Sequence, residues 1–230
     1  MIFFFDHLTA TLVAIVLTAV LLSQQVQNRQ AALERTSVYA AKGQALAFAE
    51  WVEDDVVKLG AQFGASRDRF SDSTEVIGGV PFTRQFTYYY NEKVTEGGIA
   101  ERVEVRYDLA EDGGAHVVVE KGATPADDVA LPLYTVTRSE RRGQYDIEAG
   151  GWVSYEPSWA ATPQYQSPHG LRHFRIEPQD SHGREAQTVE EADYVRVQFT
   201  VVPTLFPLYR ARMVPREGLH WATTVEIRPF

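Results

Sequence analysis

Cysteine is absent from all 230 residues, which removes disulfides, thiolate metal ligands and a thiol nucleophile together. Basic residues are in the minority. The 22 Lys and Arg face 31 Asp and Glu, for a net charge of -9, and no nucleic-acid partner is expected, because phosphate binding needs clustered cations. The patterns G-x-S-x-G, H-E-x-x-H, G-x-G-x-x-G and the P-loop are all missing, so neither an enzyme nor a cofactor is expected. His169 and His173, with His182 nearby, form the one metal-like cluster. An i, i+4 pair faces one way only on a helix, and this segment reads as a loop entering a strand, so no metal is expected. The acidic groups Asp127-Asp128, Glu190-Glu191 and Glu53-Asp54-Asp55 lack the ordered spacing of a calcium loop and read as solvated faces.

Hydrophobic residues make up 44% of the chain and aromatic residues 12%, enough to bury a core in one large domain or two small ones. The first apolar run, Ile2 to Leu22, is about 21 residues long and matches the thickness of a bilayer core at about 1.5 Å per residue. It carries no Lys or Arg at its start, and Ser23-Gln24-Gln25 follows it without an A-x-A pattern, which argues against a secretory signal peptide. Arg29, Arg35 and Lys42 all follow the run. Either the C-terminal bulk is cytoplasmic by the positive-inside rule, or a basic leader has been removed after insertion.

Asp6 is the anomaly in this run, since a carboxylate at membrane depth costs several kcal/mol unless neutralised. Two partners are open to it. A free amine at Met1, of its own or a neighbouring chain, would pair with it in a low dielectric; alternatively the acid sits at the interface, near its helix N-terminus. Thr9, Thr11 and Thr18 can return their hydroxyls to carbonyls one turn earlier.

The helix is expected to continue. No Pro occurs from Ser23 to Leu59, Gly43 is the single Gly there, and good helix formers abound. At 100° per residue, Val26, Leu33, Ala40, Ala41, Phe48, Trp51, Val52 and Leu59 share one side, opposite Arg35, Lys42 and Glu53. Gly60 and Gly64 supply stop signals. The prediction is one helix over 1–60, apolar over 1–22 and amphipathic over 23–60, with Leu33, Phe48, Trp51, Val52 and Leu59 as its helix-sheet core. A linker over 61–81 then leads to a β-rich domain over 82–230.

In that domain the period changes from 3.6 to 2. Segments 82–91, 101–110, 116–122, 131–140, 171–178, 194–202 and 221–229 are rich in β-branched and aromatic residues and read as strands. "EDGG" (111–114) has the composition of a hairpin turn. "TYYY" (87–90) reads as a sugar- or surface-binding strip or as cross-strand packing. The fold class is α+β, a long N-terminal helix on a mainly antiparallel sheet.

An apolar start with an acid near position 5, a two-part helix and a C-terminal β domain ending in "ADYVRVQFTVVP" and "LHWATTVEIRPF" together resemble a type IV pilin or pseudopilin. The chain departs from the family in having Phe5 and then Asp6 where Glu is usual, and in lacking a C-terminal cysteine pair. The resemblance implies an extracellular, cell-surface filament built as a helical homo-oligomer. It also implies an inner-membrane precursor, a prepilin peptidase and pilus assembly machinery as partners. Assembly would then use Met1, Phe3, Phe4, Phe5, Asp6, Leu8, Leu12, Ile15 and Leu22. Two further readings stand beside it: a minor or tip pseudopilin of a type II secretion-like system, and an envelope-binding protein anchored by one membrane helix.

Overall fold

The computed structural model describes residues 2–58, 70–95, 97–119, 129–167, 170–186, 191–202 and 218–226; the side chains of 2–6, 114–119, 129–130 and 161–166 lie outside the description. The fold is α+β. Among the described residues one helix, α1 (Ile2–Val57), precedes nine antiparallel strands: β1 (Phe70–Ile77), β2 (Val80–Val94), β3 (Ile99–Val119), β4 (Val129–Asp146), β5 (Gly151–Tyr155), β6 (Ala160–Gln166), β7 (Leu171–Gln179), β8 (Tyr194–Val201) and β9 (Leu219–Glu226).

The chain divides into two compact units, Met1–Ala40 and Ala41–Phe230. The division therefore falls inside the helix and not at the expected borders near 60 and 81. In the first unit the helix runs without a Pro, and Thr11, Thr18 and Thr36 donate their hydroxyls to the carbonyls of His7, Ala14 and Ala32 at 2.8, 2.8 and 2.9 Å. Its described large apolar side chains are exposed, Leu33 included at 49%, apart from the half-buried Val38. Leu33 thus does not belong to the helix-sheet core, because among the described side chains the helix buries no apolar one before Ala41; Leu59 lies outside the described residues.

In the second unit the helix buries Ala41, Ala45, Phe48, Ala49, Trp51, Val52 and Val56. These positions recur every three or four residues, one stripe of a 3.6-residue helix. Three alanines in that stripe let the backbone approach the sheet, while the rings fill the remaining space. Phe48 lies 5.0 Å from Phe199 of β8 and 6.1 Å from Phe174 of β7, and Trp51 lies 5.5 Å from Tyr107 of β3.

The sheet order is β1-β2-β3-β4-β7-β8-β9, with β5 and β6 both paired to β4. Between its two halves the ladder narrows to one pair, Tyr134 opposite Leu171. Thr83 of β2 reinforces that seam: its buried hydroxyl donates to the Ile176 carbonyl at 3.2 Å and accepts from the Ile176 amide at 2.9 Å. Phe48 touches one half and Trp51 the other, so the helix stripe closes the seam from its own side.

Two expectations from the sequence are corrected. "EDGG" is no hairpin turn, since β3 passes through it and the register with β4 shifts between Glu111 and His116. The extra residues form a bulge, and Gly113 takes the positive φ of 53° there at no steric cost. Residues 70–81 are also not linker, because β1 pairs with β2 from Phe70 opposite Tyr88 to Ile77 opposite Val80. That strand is exposed from Ser71 to Val76 and so shows no alternation to read.

Candidate functional site: the apolar helix and its buried anchor

Residues 7–22 contain no Asp, Glu, Lys or Arg, and the helix is long and apolar enough to cross a membrane. Its Leu8, Leu12, Val13, Ile15, Val16, Leu17, Val20, Leu21 and Leu22 are all about half exposed or more. Successive side chains turn by 100°, so these residues cover most of the helix surface, and the remaining strip carries His7, Ala14, Thr11 and Thr18, the two threonine hydroxyls being bound to backbone carbonyls. Such a segment is compatible with membrane anchoring or with a signal sequence. Of the residues expected to drive assembly, Leu8, Leu12, Ile15 and Leu22 stand exposed on it. Met1 lies outside the described residues, as do the side chains of Phe3, Phe4, Phe5 and Asp6.

At the other end of the helix, Phe48, Trp51 and Val52 lie in the core, at 2%, 8% and 0% exposure. Beside them sits a charged cluster that pattern reading placed in solvent. Asp54 is exposed and Asp55 is buried. One Asp55 oxygen accepts from the Tyr107 hydroxyl at 2.6 Å and from Arg138 Nε, and the other accepts from Lys58 Nζ at 2.9 Å and Arg138 Nη2 at 3.3 Å. Arg138 is itself only 1% exposed and reaches Glu140 at 2.6 Å. Arg142 then links Glu140 to Glu92, at 3.5 and 3.2 Å.

The electrostatics follow from this geometry. Burial pushes the Asp55 carboxyl up, but the hydrogen bonds and charge of Arg138, with Tyr107 and Lys58, outweigh it and hold the group below its usual range. Burial lowers Lys58, and its bond to Asp55 raises it further than burial lowers it. Tyr107 is pushed well above its ordinary value, first by burial and then by the nearby Tyr88 and Asp55. Both Asp55 oxygens are thus occupied by donors, an arrangement that fixes the helix to β3 and β4 and offers no base or nucleophile.

A sequence signal for this pair exists. Tyr134, Val136 and Arg138 share one face of β4, and two of them are apolar and buried. An Arg in that phase requires an acid, and Asp55 lies three and seven residues beyond the buried Val52 and Phe48. Among the described residues no group of three or more His, Asp or Glu could hold a metal. His173 Nε2 meets the Pro81 carbonyl at 3.1 Å, whereas His182 is exposed beside Asp180; His169 is outside the described residues.

Fold and site together define an α+β chain with one long apolar N-terminal helix, anchored at its far end by a buried ion pair. Comparison with protein families, with curated proteins and with solved structures finds no match.

Proposed function

We propose that the chain is a structural subunit of a type IV pilus-like extracellular filament, held in the inner membrane before assembly and packed through its apolar helix with copies of itself. The observation that carries this reading is the helix of 56 residues, free of Asp, Glu, Lys and Arg over 7–22 and fixed into a β domain in its last turns. Nine exposed Leu, Ile and Val side chains at about half exposure represent on the order of 10 kcal/mol of unburied apolar surface. A membrane hides that surface, and so does a bundle of like helices. Type IV pilins and pseudopilins, which the sequence resembles, use both in turn, and the same resemblance supplies the prepilin peptidase and the assembly machinery as partners. No catalytic role is part of the proposal.

The test is assembly. Full-length chain taken out of detergent is expected to form thin fibres visible by negative stain and to pellet, whereas a chain beginning at Gln27 stays a soluble monomer by sedimentation. Full-length chain that enters lipid vesicles as a monomer and never polymerises would overturn the filament and leave a single-helix envelope anchor.

A further inference from the structure

The face of the sheet opposite the helix carries aromatic rings outside the hydrophobic core, and three of them, Trp152, Tyr155 and Trp159, gather around Arg141. On β3, Val103, Val105 and Tyr107 point into the core, so Glu104 and Arg106 between them point outward. On β4, Arg141 stands opposite Glu104 and Ser139 opposite Arg106. Arg141 Nε donates to Glu104 Oε2 at 2.9 Å, and its guanidinium carbon lies 4.9 Å from the ring centres of Tyr155 and Trp159 and 5.6 Å from Trp152. Arg106 lies 4.4 Å from the Trp159 ring and donates to Asp108 at 2.7 Å. Two of the rings also contact each other, Trp152 lying 5.8 Å from Tyr155.

Two properties of this face restrict what fits it. Its partly exposed guanidinium groups are already neutralised, Arg141 by Glu104 and Arg106 by Asp108. Arg102 on the same face is buried between Tyr89 and Tyr145, with its Nε donating to Asn91, so among the described residues the face around the rings presents no unpaired positive charge of the kind a nucleic acid or an acidic peptide requires. The rings are held by the cations among them, so a ligand would lose little entropy in ordering them. Tyr155 is 51% exposed, which leaves ring surface open to a partner. Flat ring faces suit flat C–H faces, and carboxylate and guanidinium edges beside them suit hydroxyl groups. One ligand class offers both at once. We infer that this face, centred on Trp152, Tyr155 and Trp159 around the Arg141–Glu104 pair, binds a neutral saccharide chain. The inference is independent of polymerisation, since every residue involved lies within one copy.

The test uses full-length chain in phosphatidylcholine nanodiscs, free of sugar-headed detergent, on an array of neutral and acidic oligosaccharides. Neutral oligosaccharides retained on the array are then titrated by tryptophan fluorescence. Saturable binding is expected, weakened about tenfold or more by Tyr155→Ala and by Tyr155→Leu, which keeps bulk but removes the ring, with the urea midpoint unchanged. Array binding by no neutral saccharide would overturn the inference. So would binding that both variants leave intact, or tighter binding to acidic sugars, oligodeoxythymidylate or an acidic peptide.

Discussion

Replacing Asp55 by Ala tests how the helix is held to the sheet. The substitution leaves Arg138, 1% exposed, with Glu140 as its remaining acid, and removes the acceptor of the Tyr107 hydroxyl. Breaking a buried pair from one side costs about 3 to 5 kcal/mol, since the surviving charge stays out of water. A domain of this size holds about 5 to 15 kcal/mol in all, so the melting temperature is expected to fall by roughly 10 °C or more. Urea unfolding followed by tryptophan fluorescence reads the loss directly. Arg138→Met alone should cost a similar amount by stranding Asp55, while Asp55→Leu with Arg138→Met should recover most of it, because a packed apolar pair replaces the ionic one. The pH dependence has a defined sign. Asp55 titrates lower in the folded chain than in the unfolded one, so its contribution is complete above about pH 4 and disappears as pH falls through the folded value. Tyr107 and Lys58 are raised, so their contributions decline as pH rises above about 10. Asp55→Asn should flatten the acid limb. A loss below about 1 kcal/mol, or single-variant losses that simply add, would refute a desolvated pair.

Gly43→Ala should stabilise the helix by about 0.5 to 1 kcal/mol, since the site is exposed and an added Cβ meets nothing within 4 Å; a lower urea midpoint would contradict this. Thr83→Val should cost about 1 to 3 kcal/mol and speed hydrogen exchange at the Ile176 amide, whose partner is the lost hydroxyl. Gly143→Ala should detach β5 from β4, because the new Cβ would lie 2.7 Å from the Tyr155 Cα and closer still to the Ser154 carbonyl; red-shifted tryptophan emission with an intact core transition is the expected signature. Asp6→Asn should lower fibre yield while leaving the membrane-held monomer unchanged, if a buried charge pair worth about 3 to 5 kcal/mol joins subunits; normal fibres from that variant would show that the acid plays no part in assembly.

The long helix and the antiparallel domain were legible because each has a period, 3.6 or 2, that survives in the bare sequence. Phe48, Trp51 and Val52 carried that period into the core. Leu33 continued the same angular stripe, yet amphipathicity states which face is apolar and not how far the sheet extends to cover it. Asp55 was missed for a related reason: its charge was read alone, while its burial depends on Arg138, 83 residues away. The bulge in β3 copies the composition of a turn, and only pairing with β4 distinguishes the two. β5 and β6 are short, and β6 contains Pro163, which an edge strand tolerates and which masks the strand from a reading of the sequence.

The arrangement of β5 and β6 also bears on how such a chain can diversify. The polypeptide leaves β4 at Asp146 and resumes the main ladder at Leu171, which pairs back to Tyr134 on the same strand. No described side chain between Ile147 and Tyr155, nor Trp159, belongs to the hydrophobic core. The ladder from β1 through β4 to β7, β8 and β9 closes without this excursion. An appendage of that kind can lengthen, shorten or be exchanged in a lineage at little cost to the scaffold, as exposed insertions generally can. Trp152, Tyr155 and Trp159 ride on it, so the aromatic surface they form is free to drift while the frame that carries it stays the same.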